Sequence, residues 1–157
     1  MRKRVINQGT EGSPNADKDW LDLEGLAQAE VPSENAAHPI ESALIPRTGP
    51  GWRAAKPGKQ TIRLLFDKPQ KIRTIRLVFQ EDELERTQEF VLRWSSDGGQ
   101  SYRDIARQQY NFSPSGSNHE LEDYTVDLNG VTTLELTIVP DISRGAAHAS
   151  LAQLRLA

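Results

Sequence analysis

The side chains with most chemical capacity gather in two polar stretches that also carry aromatic rings. The first, "RQQYNFSPSGSNH" at 107–119, offers Tyr110, Asn111, Phe112 and His119 in a Ser/Gly/Pro setting. The second, between 34 and 59, offers His38, Arg47, Trp52 and Arg53. Arg86 stands at the mouth of the run "RTQEF". Together these supply ring faces for C–H contacts, and a guanidinium fork, imidazole and amide for fixed hydrogen bonds, which is recognition chemistry. Each also has a structural reading. Tyr110 and Phe112 can fold back as a plug. Trp52 can pack in a core. His38, just ahead of Pro39, can organise its loop. Arg86 can pair at the surface with Glu83 or Glu85 in "EDELE", and Arg47 and Arg53 can stay solvated.

Catalytic constellations are weaker. The three histidines, His38, His119 and His148, have no second histidine at helical or hairpin spacing. "HELEDY" resembles a metal cluster, but alternation sends Glu120 and Glu122 to the face opposite His119, so it reads as a solvated strand start. No phosphate loop or nucleophile elbow is present. No two of the many acids are paired by sequence as glycoside hydrolysis requires. A non-catalytic binding protein is expected.

Composition narrows the partners. The chain of 157 residues suits one domain, with 36% hydrophobic and 26% charged residues. Its 22 acidic and 19 basic residues give a net charge of −3, without the basic surplus that nucleic-acid binding demands. Without cysteine, thiolate metal sites and disulfides are excluded. The basic start is followed by no apolar stretch, so no signal peptide is visible, and no run is long enough to span a bilayer. A cytoplasmic setting is expected.

Residues 1–17 lack any hydrophobic period and read as a flexible tail, with one domain over 18–157. "DWLDLEGL" suggests a short helical turn that pins Trp20 and Leu23 on the core. Four prolines and three glycines between 34 and 59 predict a long wrapping segment without helix or central strand. After Gln60 the period becomes two: "TIRLLF", "KIRTIRLVF", "DYTVDL" and "TLELTIV", with "DKPQ" and "LNG" as turns between them. The pattern predicts an all-β sandwich of about eight antiparallel strands, a jelly roll. In "FVLRWSSDGGQSYRDI", Phe90, Leu92 and Trp94 alternate toward the core, and Asp97-Gly98-Gly99 reads as a hairpin turn because Asp-Gly tolerates positive φ.

These runs, in this order, resemble discoidin domains, also called coagulation-factor type C domains, of the galactose-binding-like group. The resemblance covers roughly 26–157, and its most specific piece is the hairpin at 90–105. It implies a jelly roll whose loops at one end bind sugars in many members, and anionic lipid or protein in others. A structural calcium also belongs to many members. Here the wrapping loop reads "ESALIPRTGPGW", with Glu41 but no Asp-Gly before the tryptophan, so no cofactor is expected. The implied function is carbohydrate recognition through end loops. The alternative is a protein-interaction or assembly module with no small-molecule site.

Overall fold

The alternating runs form eight strands in a computed structural model that describes residues 19–46, 49–143 and 145–157. The tail expected over 1–17, and Arg47, lie outside the described residues. The strands are β1 (Ala27–Glu30), β2 (Trp52–Pro57), β3 (Gln60–Gln80), β4 (Arg86–Ser95), β5 (Arg103–Phe112), β6 (His119–Val139), β7 (His148–Leu151) and β8 (Gln153–Leu156). Five of them order as β1-β3-β6-β4-β5, all antiparallel. The second half of β3 pairs with the first half of β6 on one side and β8 on the other, which makes the opposing layer. β2 and β7 form a separate ribbon.

The layers meet through the predicted apolar faces. Ile62 and Leu64 of β3, Phe90 and Leu92 of β4, and Leu136 and Ile138 of β6 are buried opposite Ile75, Leu77 and Phe79. The Phe79 and Phe90 rings stack across the layers at 5.3 Å. Burying each such side chain stabilises the fold by about 1.5–3 kcal/mol.

Two expected turns are absent as chain reversals. "DKPQ" lies inside β3 and "LNG" inside β6, so two strands of 21 residues replace four short ones. Each long strand passes from one layer to the other, and register shifts between Leu65 and Thr74 absorb the bend. Pro69 and Gly130 (φ 74°) sit in this irregular stretch, where no regular ladder needs the missing N–H or a negative φ.

The wrapping segment also carries more structure than its breakers suggest. It holds β2 and a single helical turn, while a second turn precedes β1; we number these α1 (Leu23–Leu26) and α2 (Glu41–Leu44). Arg155 of β8 donates to the Ala43 carbonyl at 2.8 Å, giving α2 one of the partners its own short length denies it. Gly51 (φ 104°) brings the segment against β7, where a Cβ would stand 2.6 Å from the Leu151 carbonyl oxygen. Leu23 is buried in the core as expected, whereas Trp20 is half-buried under the Arg76 guanidinium, 5.7 Å from its ring centroid. Trp94 packs against the core as expected but only in part: it is half-buried, with the Arg103 guanidinium 5.6 Å from its ring centroid.

Candidate functional site

The path of β3 and β6 gives the sandwich two unlike ends. At one end lie tight turns. The loop after β4 closes on Asp97, whose carboxylate accepts from the Ser95 and Ser101 hydroxyls and the Ser101 amide. Those bonds, the Ser101 hydroxyl foremost, hold Asp97 far below the usual carboxylate range. Gly98 and Gly99 take positive φ, 74° and 89°. Asp97-Gly98-Gly99 is a turn, as its residue types suggested.

At the other end the connections that follow Gln80, Phe112 and Val139 meet the wrapping segment. Beneath them lies a buried polar group. Arg86 is 5% exposed, and its Nε donates to Glu81 at 2.6 Å. Its Nη1 donates to the Pro140 carbonyl at 2.7 Å and to Gln88 at 3.3 Å, and Phe112 lies against its guanidinium at 4.7 Å. Burial works to raise the Glu81 carboxyl, yet Arg86 and the Glu83 and Leu84 amides hold it below the usual range. The surface pairing of Arg86 with Glu83 or Glu85 is therefore corrected. Those acids are exposed on the loop, while Glu81 turns inward beside the strand.

Glu120 is a second correction. It is 2% exposed instead of solvated. Gln88 donates to one of its oxygens at 3.3 Å, and the other oxygen has no partner. Burial, and then neighbouring Glu122, push its carboxyl up to about 8. Glu120 shares the parity of Tyr124, Val126 and Leu128, the core-facing set of the same strand, so the alternation pointed inward.

The sequence candidates divide between two clefts on either side of the 81–85 loop, with two left outside. His38, Trp52 and Arg53 border a cleft of about 320 Å³ with Gln80, Asp82 and Ser150. Arg86, Asn111 and Phe112 border another of about 540 Å³ with Asp141 and Ile142. Tyr110 and His119 line neither. Tyr110 packs edge-on to Phe112 at 4.9 Å, and its hydroxyl donates to the His119 carbonyl at 2.9 Å. The aromatic platform is not formed: Trp52 and Phe112 are each 1% exposed, and Tyr110 is half-buried. Both buried rings are plugs, the Trp52 indole fixed by donation to the Ser33 carbonyl at 3.2 Å.

In the smaller cleft the exposed Arg53 guanidinium has no side-chain partner among the described residues. Its backbone is held instead, since its N–H donates to the His38 carbonyl at 3.1 Å. The His38 ring meets Asn35 Oδ1 at 3.5 Å through Nδ1. Gln80 donates to Asp82 at 3.0 Å, and Pro50, Leu151 and Ala152 supply apolar surface. Gln80 and Asp82 were missed by sequence reasoning, because "FQED" reads as the solvated end of a strand. Among the described residues no three His, Asp or Glu side chains converge. Nor is any described helix long and apolar enough to cross a membrane.

No protein-family model and no curated protein matches this sequence. Solved structures do match. The family 32 module of Clostridium perfringens NanJ, in complex with galactose, superposes with a TM-score of 0.65 at 14% identity, covering 87% of this chain and 96% of that one. The fold is the discoidin-like, galactose-binding-like β-sandwich. Two further structures share it. The C. perfringens domain CpGH89CBM32-5, in complex with GalNAc-β-1,3-galactose, gives 0.63 at 18% identity, over 88% of this chain and 99% of that one. The CBM32 of AlyQ, in complex with 4,5-unsaturated mannuronic acid, gives 0.63 at 15% identity, over 89% and 98%. The discoidin-like sandwich thus accounts for the eight strands and the loop-rich end.

Proposed function

We propose that the protein is a non-catalytic carbohydrate-binding module that seats a saccharide in the cleft of His38, Arg53, Gln80 and Asp82. One observation carries this reading. Arg53 is exposed there without a side-chain partner among the described residues, beside the exposed Gln80–Asp82 pair. Arg53 and Gln80 donate to sugar hydroxyls, Asp82 accepts, and His38 does either according to its tautomer. Pro50, Leu151 and Ala152 meet the C–H surface. The three solved structures named above are complexes with saccharides, which supports the ligand class.

Assembly through protein contacts has one observation in its favour, the ten-residue edge strand β5. Its exposed Arg103, Asp104 and Arg107 place charges of both signs along that edge, an arrangement that blocks edge-to-edge pairing. Carbohydrate binding is therefore preferred.

The test is calorimetric titration of the full chain with galactose, N-acetylgalactosamine and their oligomers, beside Arg53→Ala. Saturable binding that weakens at least about tenfold in the variant, by loss of a charged hydrogen bond, is expected. Binding unchanged in Arg53→Ala would move the site elsewhere, and no binding by any saccharide would favour the assembly role.

A further inference from the structure

The larger cleft has features that its structural duties leave unexplained. Its floor is Arg86, a side chain fixed by three bonds and by the Phe112 ring. The Arg86 side chain is 1% exposed, so this floor is fixed and all but sealed.

The walls complete the set. The Thr87 hydroxyl donates to Asn111 Oδ1 at 2.7 Å, which fixes the amide and leaves its NH₂ to donate. Across the cleft Asp141 accepts from the Ser143 amide at 3.0 Å and hydroxyl at 2.7 Å, so its carboxylate is also oriented. The Ile142 amide donates to the Thr87 carbonyl at 2.9 Å, tying the two walls together. Ile142 itself is 45% exposed, a large apolar side chain beside fixed donors and acceptors. Such a combination suits a ring with hydroxyls at its edge and C–H groups on its face.

Charge selects among such rings. Glu85 and Asp141 border the cleft, and the one described cation, Arg86, is already neutralised by Glu81. An added carboxylate would meet repulsion there.

We propose that this cleft is a second saccharide-binding site, separate from the first and selective for neutral over acidic sugars. The Asn111 amide donates to hydroxyls, Asp141 accepts from them, and Ile142 covers a C–H face. With the 81–85 loop as partition, two sites on one end allow a single domain to hold two glycosyl units. Divalent attachment to a polymer outlasts either single contact. The proposal shares only its ligand class with the first cleft, and none of its residues.

The experiment follows backbone amides of the ¹⁵N-labelled full chain by NMR. Neutral galacto- and gluco-oligosaccharides are compared with oligogalacturonate, in the native protein, Arg53→Ala, Asn111→Ala and Ile142→Ala. Neutral sugars are expected to shift Thr87, Asn111, Ser113 and the Asp141–Ile142 amides, and to do so equally in Arg53→Ala. The midpoint should rise at least about fivefold in Asn111→Ala and Ile142→Ala, whose exposed positions leave the remaining spectrum intact. Shifts at the first cleft alone would overturn the second site, as would a stronger response to oligogalacturonate. Shifts at the second cleft alone would uphold it and remove the reading of the first.

Discussion

The two ends of the sandwich contain similar residue types used in opposite ways. At the turn end Asp97 is surrounded by serine hydroxyls and amides that saturate it. At the loop end the Arg53 guanidinium is exposed and has no side-chain partner among the described residues. A polar residue between strands therefore says little until its partners are counted. Asp97 in its glycine-rich turn is closed on itself, and Arg53 on strand β2 is open.

The sharpest way to break this contrast is Arg86→Met. It strands Glu81 in a buried position without its cation, and should cost about 3–5 kcal/mol in chemical denaturation. A loss below 1 kcal/mol would mean that the loop end is not organised by this pair.

The next effect concerns pH. Glu120 binds its proton more tightly folded than unfolded, because burial and Glu122 raise its carboxyl to about 8 from the ordinary 4.5. Its contribution is fully present below the unfolded value and is lost as pH rises through the folded one. The melting temperature should thus decline between pH 4.5 and 8, and Glu120→Gln should flatten the decline with little change at pH 4.5. An identical slope in the variant would assign the pH dependence to other groups.

Smaller again is Gly98→Ala, which places a side chain at φ 74° and should cost about 1–2 kcal/mol while leaving saccharide binding untouched. Smallest is the stability change in Arg53→Ala, within about 0.5 kcal/mol, since the side chain is exposed and unpartnered. Measured side by side, these two separate an end that holds the fold from an end that holds a ligand.

The layered β architecture was legible in the sequence because half-buried strands alternate, and Ile62, Leu64, Ile75, Leu77 and Phe79 do so clearly. What alternation does not record is which layer a strand belongs to. "DKPQ" carries turn chemistry, yet the chain bends there without reversing, since pairing with β6 continues on both sides. Most candidate residues stand on strand ends and not in loops, and they do not form one group. Arg86 and Arg53 fall into different clefts because the 81–85 loop passes between them, a tertiary fact. The aromatic platform failed for a related reason: Trp52 and Phe112 have more apolar surface to bury than the loops can leave exposed. Glu120 was within reach, since its parity with Tyr124 and Val126 is written in the strand itself.

The passage of β3 and β6 through both layers has a kinetic consequence. Gln60 pairs with Ile138 and Gln80 with His119, so one continuous ribbon must close contacts between distant parts of the chain before either layer is complete. Such long-range pairing slows folding. Once formed, the ribbon leaves no line along which one layer can peel from the other, and its amides should exchange with solvent only when the whole domain opens.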